Sequence, residues 1–177
     1  MRWTTFAVLL YAFSIPAATN LLTLGGASSY PRIEYLVLLA VFYGLYASDD
    51  GAPLAALWCG LVMDLLRSQI LGTYALPLAL VGWALVKIRM SVFREHMIAQ
   101  LMITILAVIG SGLLVALWRW LLAIPALSGL PNPYGWDYLL QNAASALYTG
   151  VVAPLVFWLL FRLEPILGFG IKGARSR

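Results

Sequence analysis

The chain has 177 residues, of which 63% are hydrophobic and 10% charged, with a formal net charge of +4 and a mean hydropathy of +0.91. A soluble domain carries about 25% charged residues, so this deficit excludes an ordinary cytosolic protein, and the high hydrophobicity excludes disorder. The expectation is a single polytopic membrane domain over residues 1–177, because no polar stretch is long enough for a separate soluble unit.

At about 20 residues per spanning helix, six helices with short connections fit this length. Six apolar runs cover residues 3–24, 33–47, 51–66, 71–86, 97–123 and 139–161. No run alternates in the manner of a barrel strand, and an open sheet edge has no place in lipid. The expected fold class is therefore an all-α integral membrane protein with six transmembrane helices. The first run is interrupted by Pro16, Thr19 and Asn20, and a proline there removes a backbone hydrogen bond and kinks the helix. Arg2 ahead of the run and Pro16-Ala17-Ala18 within it also imitate a signal peptide and its cleavage region. The apolar stretch continues through Leu21, Leu22 and Leu24, longer than a signal core needs, so retention as the first span is expected.

The second, third and fourth runs are short for a full span and are joined by tight polar turns. Ser48-Asp49-Asp50-Gly51 is one, and Arg67-Ser68-Gln69 before Gly72 is the other. Helices in lipid associate by close packing, so small residues four apart mark contact faces. Ala52, Ala56, Gly60, Asp64 and Ser68 share one face of the third run. The fourth run has Ala75, Ala79 and Gly82, and the sixth has Asn142, Ala146, Gly150 and Pro154, the last a kink site. Such faces serve packing within the bundle or contact with a partner.

Asp64 is the most informative residue. A charge at a helix centre in lipid costs about 2.5–3.5 kcal/mol, and less toward the ends, so something must satisfy it. Arg67, three positions later, offers a local salt bridge. The free backbone donors at the start of the next helix, near Gly72, offer the alternative. Either makes Asp64 a clamp on a hairpin. A proton or ion relay would need further partners in the membrane, and only Arg119, Gln100, Gln141 and Asn142 are at hand, with no second acid among them. Arg119 lies in Trp118-Arg119-Trp120 near the end of the fifth run. It anchors that helix at the interface, or it pairs with Asp64 or a partner protein. The stretch from Ile124 to Tyr138 holds Pro125, Pro131, Pro133, Tyr134, Trp136 and Asp137. It reads as an interfacial linker or as a partner-binding lip.

With six spans, Arg2, Lys87, Arg89, Arg94, Arg162, Lys172, Arg175 and Arg177 fall on one side, against Arg32, Arg67 and Arg119 on the other. Eight against three places both termini in the cytoplasm. The net positive charge thus serves orientation and attraction to anionic membrane lipid, and calls for no nucleic acid.

No set of catalytic groups assembles. His96, the lone histidine, lies in a cytoplasmic turn beside Arg94 and Glu95. Ser111 in Gly110-Ser111-Gly112 lies roughly 22 Å away along a helix, at 1.5 Å per residue. Asp49 and Asp50 are adjacent and point apart. Cys59 stands alone, so neither an internal disulfide nor a cysteine metal cluster is possible. The expectation is a protein that is not an enzyme and has no cofactor.

Between Pro31 and Arg89 an apolar helix pair leads to Gly60-Leu61-Val62-Met63-Asp64-Leu65-Leu66-Arg67-Ser68, then to Leu71-Gly72 and another apolar helix. This arrangement resembles the MreD family of bacterial rod-shape-determining membrane proteins. In that family a glycine stands four residues before an Asp-Leu, followed by a small-polar turn and a Leu-Gly. Pro31, Pro154, the length and the six spans fit as well. The resemblance implies a non-enzymatic scaffold of the cell-elongation machinery, in the bacterial cytoplasmic (inner) membrane. It would bind MreC and help organise RodA, its class B penicillin-binding transpeptidase and MreB filaments in peptidoglycan synthesis. Pro31, Ala52, Ala56, Gly60, Asp64, Leu65, Arg67, Gly72, Arg119, Gly150 and Pro154 are the positions expected to carry structural or partner packing. The family is also similar in fold to the S-components of energy-coupling-factor transporters, so a vitamin-binding S-component is the alternative. Such a component presents an Ala-x-x-x-Ala face on its first span, which residues 1–24 lack. A structural subunit of some other membrane complex is the third reading.

Overall fold

In a computed structural model the chain is described over residues 3–19, 32–47, 51–67, 70–88, 97–122 and 136–167. Every regular element among these is an α-helix: α1 (Trp3–Ala18), α2 (Tyr35–Tyr46), α3 (Gly51–Leu66), α4 (Ala75–Ile88), α5 (Met97–Leu122) and α6 (Trp136–Leu167). Two contain stretches long and apolar enough to cross a membrane, Ile98–Trp120 with mean hydropathy 2.4 and Asp137–Arg162 with 1.8. The other four are apolar but shorter, at 12 to 16 residues.

A helix that is apolar all round can sit at the centre of a bundle or against lipid. α2 takes the central place, and every residue from Leu36 to Leu45 is buried. It is the hub, touching each of the other five helices. α3 and α4 form one antiparallel pair beside it, and α5 and α6 form a second. Contacts between the two pairs are sparser than those within them. At one end of the bundle Phe42 and Tyr46 of α2 stack with Phe157 and Phe161 of α6, with Tyr46 and Phe161 centroids 4.7 Å apart.

The surface is inverted relative to a water-soluble domain. Trp58, Leu80, Trp83, Leu106, Leu147, Val151, Leu155 and Trp158 are exposed, whereas Asp64, Thr73, Gln100, Thr104, Ser111, Ser145 and Thr149 are buried. Polar groups held inside and large apolar groups outside suit a hydrocarbon surrounding, where unpaired polar groups are costly. Two of the buried hydroxyls are satisfied within their own helix: Thr104 Oγ1 donates to the Gln100 carbonyl at 2.8 Å and Ser111 Oγ to that of Val108 at 2.9 Å.

Three of the boundaries that differ from the sequence reading shift by more than two residues. The fourth helix begins at Ala75 rather than residue 71, because residues 71–74 form a turn whose amides are directed at Asp64. Trp136, Asp137 and Tyr138, read as loop, open α6, where Asp137 in the first turn complements the helix dipole. α6 also continues to Leu167, passing through Pro154 without a break in assignment. Residues 20–24 of the first run, Pro31, Ser68, His96 and the loop prolines lie outside the described residues.

Candidate functional site

The geometry begins with Asp64, which is fully buried near the end of α3. One oxygen, Oδ1, accepts the Tyr74 amide at 2.7 Å. The other, Oδ2, accepts the amides of Gly72 at 2.8 Å and Ala75 at 3.3 Å. These are donors that the start of α4 would otherwise leave without an acceptor, so Asp64 acts as a remote cap for the next helix. Gly72 turns the chain with φ +99, a region that favours glycine. Of the two partners open to Asp64 in the sequence, the structure has the backbone. Asp64 forms no ion pair with either Arg67 or Arg119.

The small-residue stripe of α3 is consumed within the chain. Ala52, Ala56 and Gly60 are all buried. A Cβ on Gly60 would collide with the Ala75 backbone, and one on Gly82 would sit 2.6 Å from the Ala56 Cβ. Gly150 of α6 meets the Ile105 side chain of α5 in the same way. These positions pack the two helix pairs and are not open to a partner. Leu65, by contrast, is exposed, Pro154 is half-buried, and Arg119 sits half-buried in the last turn of α5.

Arg67 reaches across to Glu34 instead, its Nη2 lying 2.6 and 2.8 Å from the two carboxylate oxygens. Arg32 adds a weaker contact from Nε to Glu34 Oε1 at 3.3 Å. The side chains of Glu34 and Arg67 are only 13% and 20% exposed, so this pair is largely withdrawn from solvent. Burial works against the charged form of Arg67, but the Glu34 carboxylate outweighs it and raises the guanidinium above its ordinary value. The same guanidinium lies 4.6 Å from the centroid of the Tyr74 ring. Residues 32–34 are also fastened to α6. The Arg32 amide donates to Ser145 Oγ at 3.2 Å and the Glu34 amide to Thr149 Oγ1 at 3.0 Å.

Around this pair opens a polar cleft of about 530 Å³, counting the space at its mouth. One wall holds Arg32, Glu34, Arg67 and Tyr74, and the other holds Ser111 and Gly112 of α5 with Tyr138, Gln141, Asn142 and Ser145 of α6. Positions 138, 141, 142 and 145 follow the spacing of one helix face, so α6 turns a polar stripe toward the cleft. Asn142 can come so close because Gly112 opposite has no side chain. Among the described residues no three His, Cys, Asp or Glu side chains gather in a way that could hold a metal.

Glu34 is the residue the sequence reading missed, and it is the second acid thought to be lacking. Its place beside Arg32, at the head of an apolar run, made it look like part of an ordinary helix start. The available signal was a carboxylate flanked by an arginine inside the bounds of a span, which demands a partner as much as Asp64 does. The pairing with Arg67, 33 positions later, is visible only once α2 and α3 are side by side. Comparison with known proteins adds no assignment: no protein-family model, curated protein or solved structure matches this chain.

Proposed function

We propose that this protein is a six-span scaffold subunit of the bacterial cell-elongation complex, as the MreD resemblance implies. It does no chemistry, binds MreC, and helps organise RodA, its class B transpeptidase and MreB. It sits in the cytoplasmic membrane with both termini inside. The observation that carries this reading is that the resemblance motif is one physical unit. Gly60 permits the close approach of α4, Asp64 caps that helix, and Gly72 makes the turn that aims the amides. A motif spent on fixing the shape of a hairpin suits a protein whose product is a shape. The inside-facing positive charge also has structural company. Lys87 Nζ lies 5.7 Å from the Trp83 ring and the Arg162 guanidinium 5.4 Å from that of Trp158, as expected of cations and tryptophans at one membrane interface.

The vitamin-binding S-component is the second reading, and the polar cleft at the opposite end of the bundle favours it. A gentle detergent pull-down of the tagged full chain from its native membranes separates the two. Recovery of MreC with the elongation synthase is expected. Recovery of an ATPase pair with a coupling subunit would replace the scaffold with the transporter component.

A further inference from the structure

The cleft holds more hydrogen-bond donors than the fold uses. Arg32 engages Glu34 only through Nε, and its two terminal amino groups have no partner among the described residues. The side-chain amides of Gln141 and Asn142, across the cleft, likewise make no hydrogen bond there. Glu34 is the one carboxylate in the lining, and Arg67 already neutralises it through two short contacts. With two guanidiniums and one carboxylate, the lining carries one net positive charge. Asp137, on α6 nearby, is exposed and is not part of the lining. An anion rich in acceptor oxygens is what such a surface recognises, and a guanidinium fork matches phosphate geometry well.

The level of the cleft's mouth fits phosphate. The charged part of the lining gathers at one end of the bundle, before α2 and after α3, with the start of α4 and the first turns of α6 beside it, while Val108, Ser111 and Gly112 of α5 line its inner part, toward the middle of that helix. The apolar stretch of α6 able to cross a membrane begins at Asp137, one residue before Tyr138 of the cleft wall. The mouth of the cleft, with Arg32, Arg67 and Tyr138, therefore lies where a crossing helix leaves the hydrocarbon, the level of lipid phosphates, and the cleft extends inward from there. We propose that this cleft binds a phosphate ester, with Arg32 on the phosphate and the amides of Gln141 and Asn142 on the neighbouring oxygens. The ester is either the headgroup of an anionic phospholipid or a water-soluble molecule entering from outside. This inference is independent of which complex the chain joins.

The test uses the purified full chain in an uncharged detergent, with binding read from the shift of its thermal unfolding midpoint. The probes are short-chain phosphatidylglycerol, short-chain phosphatidylcholine and glycerol 3-phosphate. Saturable stabilisation by phosphatidylglycerol alone identifies a lipid headgroup, and saturation by glycerol 3-phosphate identifies a soluble ester. In either case Arg32→Gln weakens binding about tenfold, through loss of a charge-assisted contact. Gln141→Leu, at an exposed position, weakens it about threefold while leaving the midpoint without ligand unchanged, which guards against misfolding as the cause. Equal binding of phosphatidylcholine and phosphatidylglycerol would overturn the proposal. So would saturation by none of the probes, or wild-type affinity in both variants.

Discussion

The two helix pairs solve close packing differently. In α3–α4 the glycine faces backbone: a Cβ on Gly60 meets the Cα and amide of Ala75 and, at 2.8 Å, the Tyr74 carbonyl. In α5–α6 the glycine faces the end of a side chain, the carboxamide of Asn142 opposite Gly112. Backbone held by Asp64 cannot retreat, whereas a carboxamide end can rotate. The short pair is therefore a fixed wedge and the long pair a yielding one, with the cleft where they meet. The lesson is that a glycine at a helix contact can encode either of two mechanical properties, decided by what stands opposite.

Replacing each glycine by alanine should break this symmetry most visibly. Gly60→Ala is expected to cost about 3 kcal/mol or more, since an overpacked contact against immobile backbone has no relief. Gly112→Ala should come out near neutral, because the Asn142 carboxamide can turn away and alanine gains about 1 kcal/mol of helix propensity over glycine. Thermal unfolding of the two variants in detergent measures the difference, and equal losses would mean that both pairs are equally rigid.

The ion pair joins the wedge to α2 and comes next in size. Arg67→Met leaves Glu34 buried with only the 3.3 Å contact from Arg32, at an expected cost of about 3 kcal/mol. The double variant Glu34→Gln with Arg67→Met should recover most of that loss, because no uncompensated charge remains. Unfolding midpoints of the single and double variants give the coupling directly. A double variant as unstable as the single would show that Arg67 acts through its stacking on Tyr74 instead. Asp64→Asn keeps one acceptor oxygen but turns an amide donor toward backbone N–H groups, for a loss of about 2 kcal/mol. Retention of full stability in that variant would remove Asp64 as the clamp.

Much of this was legible beforehand, and the limits have physical causes. Composition and apolar runs located all six helices, because uninterrupted apolar stretches bounded by polar turns leave an unambiguous hydropathy signal. Asp64 stood out because a lone carboxylate in an apolar run must be satisfied, and Gly72 lay at the right distance to do so. The start of α4 was misplaced because capping by a side chain eight to eleven residues back leaves no local mark. Glu34 and the α6 stripe escaped for a related reason. Each depends on helices becoming neighbours, and no short-range spacing reports a contact between residues 34 and 67 or 34 and 149.

The smallest predicted effect tests whether the two pairs are separate units at all. Residues 32–34 touch α6 through two hydroxyls, Ser145 accepting the Arg32 amide and Thr149 that of Glu34. Ser145→Ala and Thr149→Val each remove one acceptor from a part-buried amide, worth about 1 kcal/mol. That corresponds to roughly fivefold faster hydrogen exchange at the amide concerned. The Gly72 and Tyr74 amides answer to Asp64, inside the other pair, and should keep their protection in both variants. If they exchange faster as well, α3–α4 and α5–α6 open together, and the fixed and yielding wedges are parts of one cooperative structure. If they do not, the cleft between the pairs is a seam that widens without loosening the hairpin behind it.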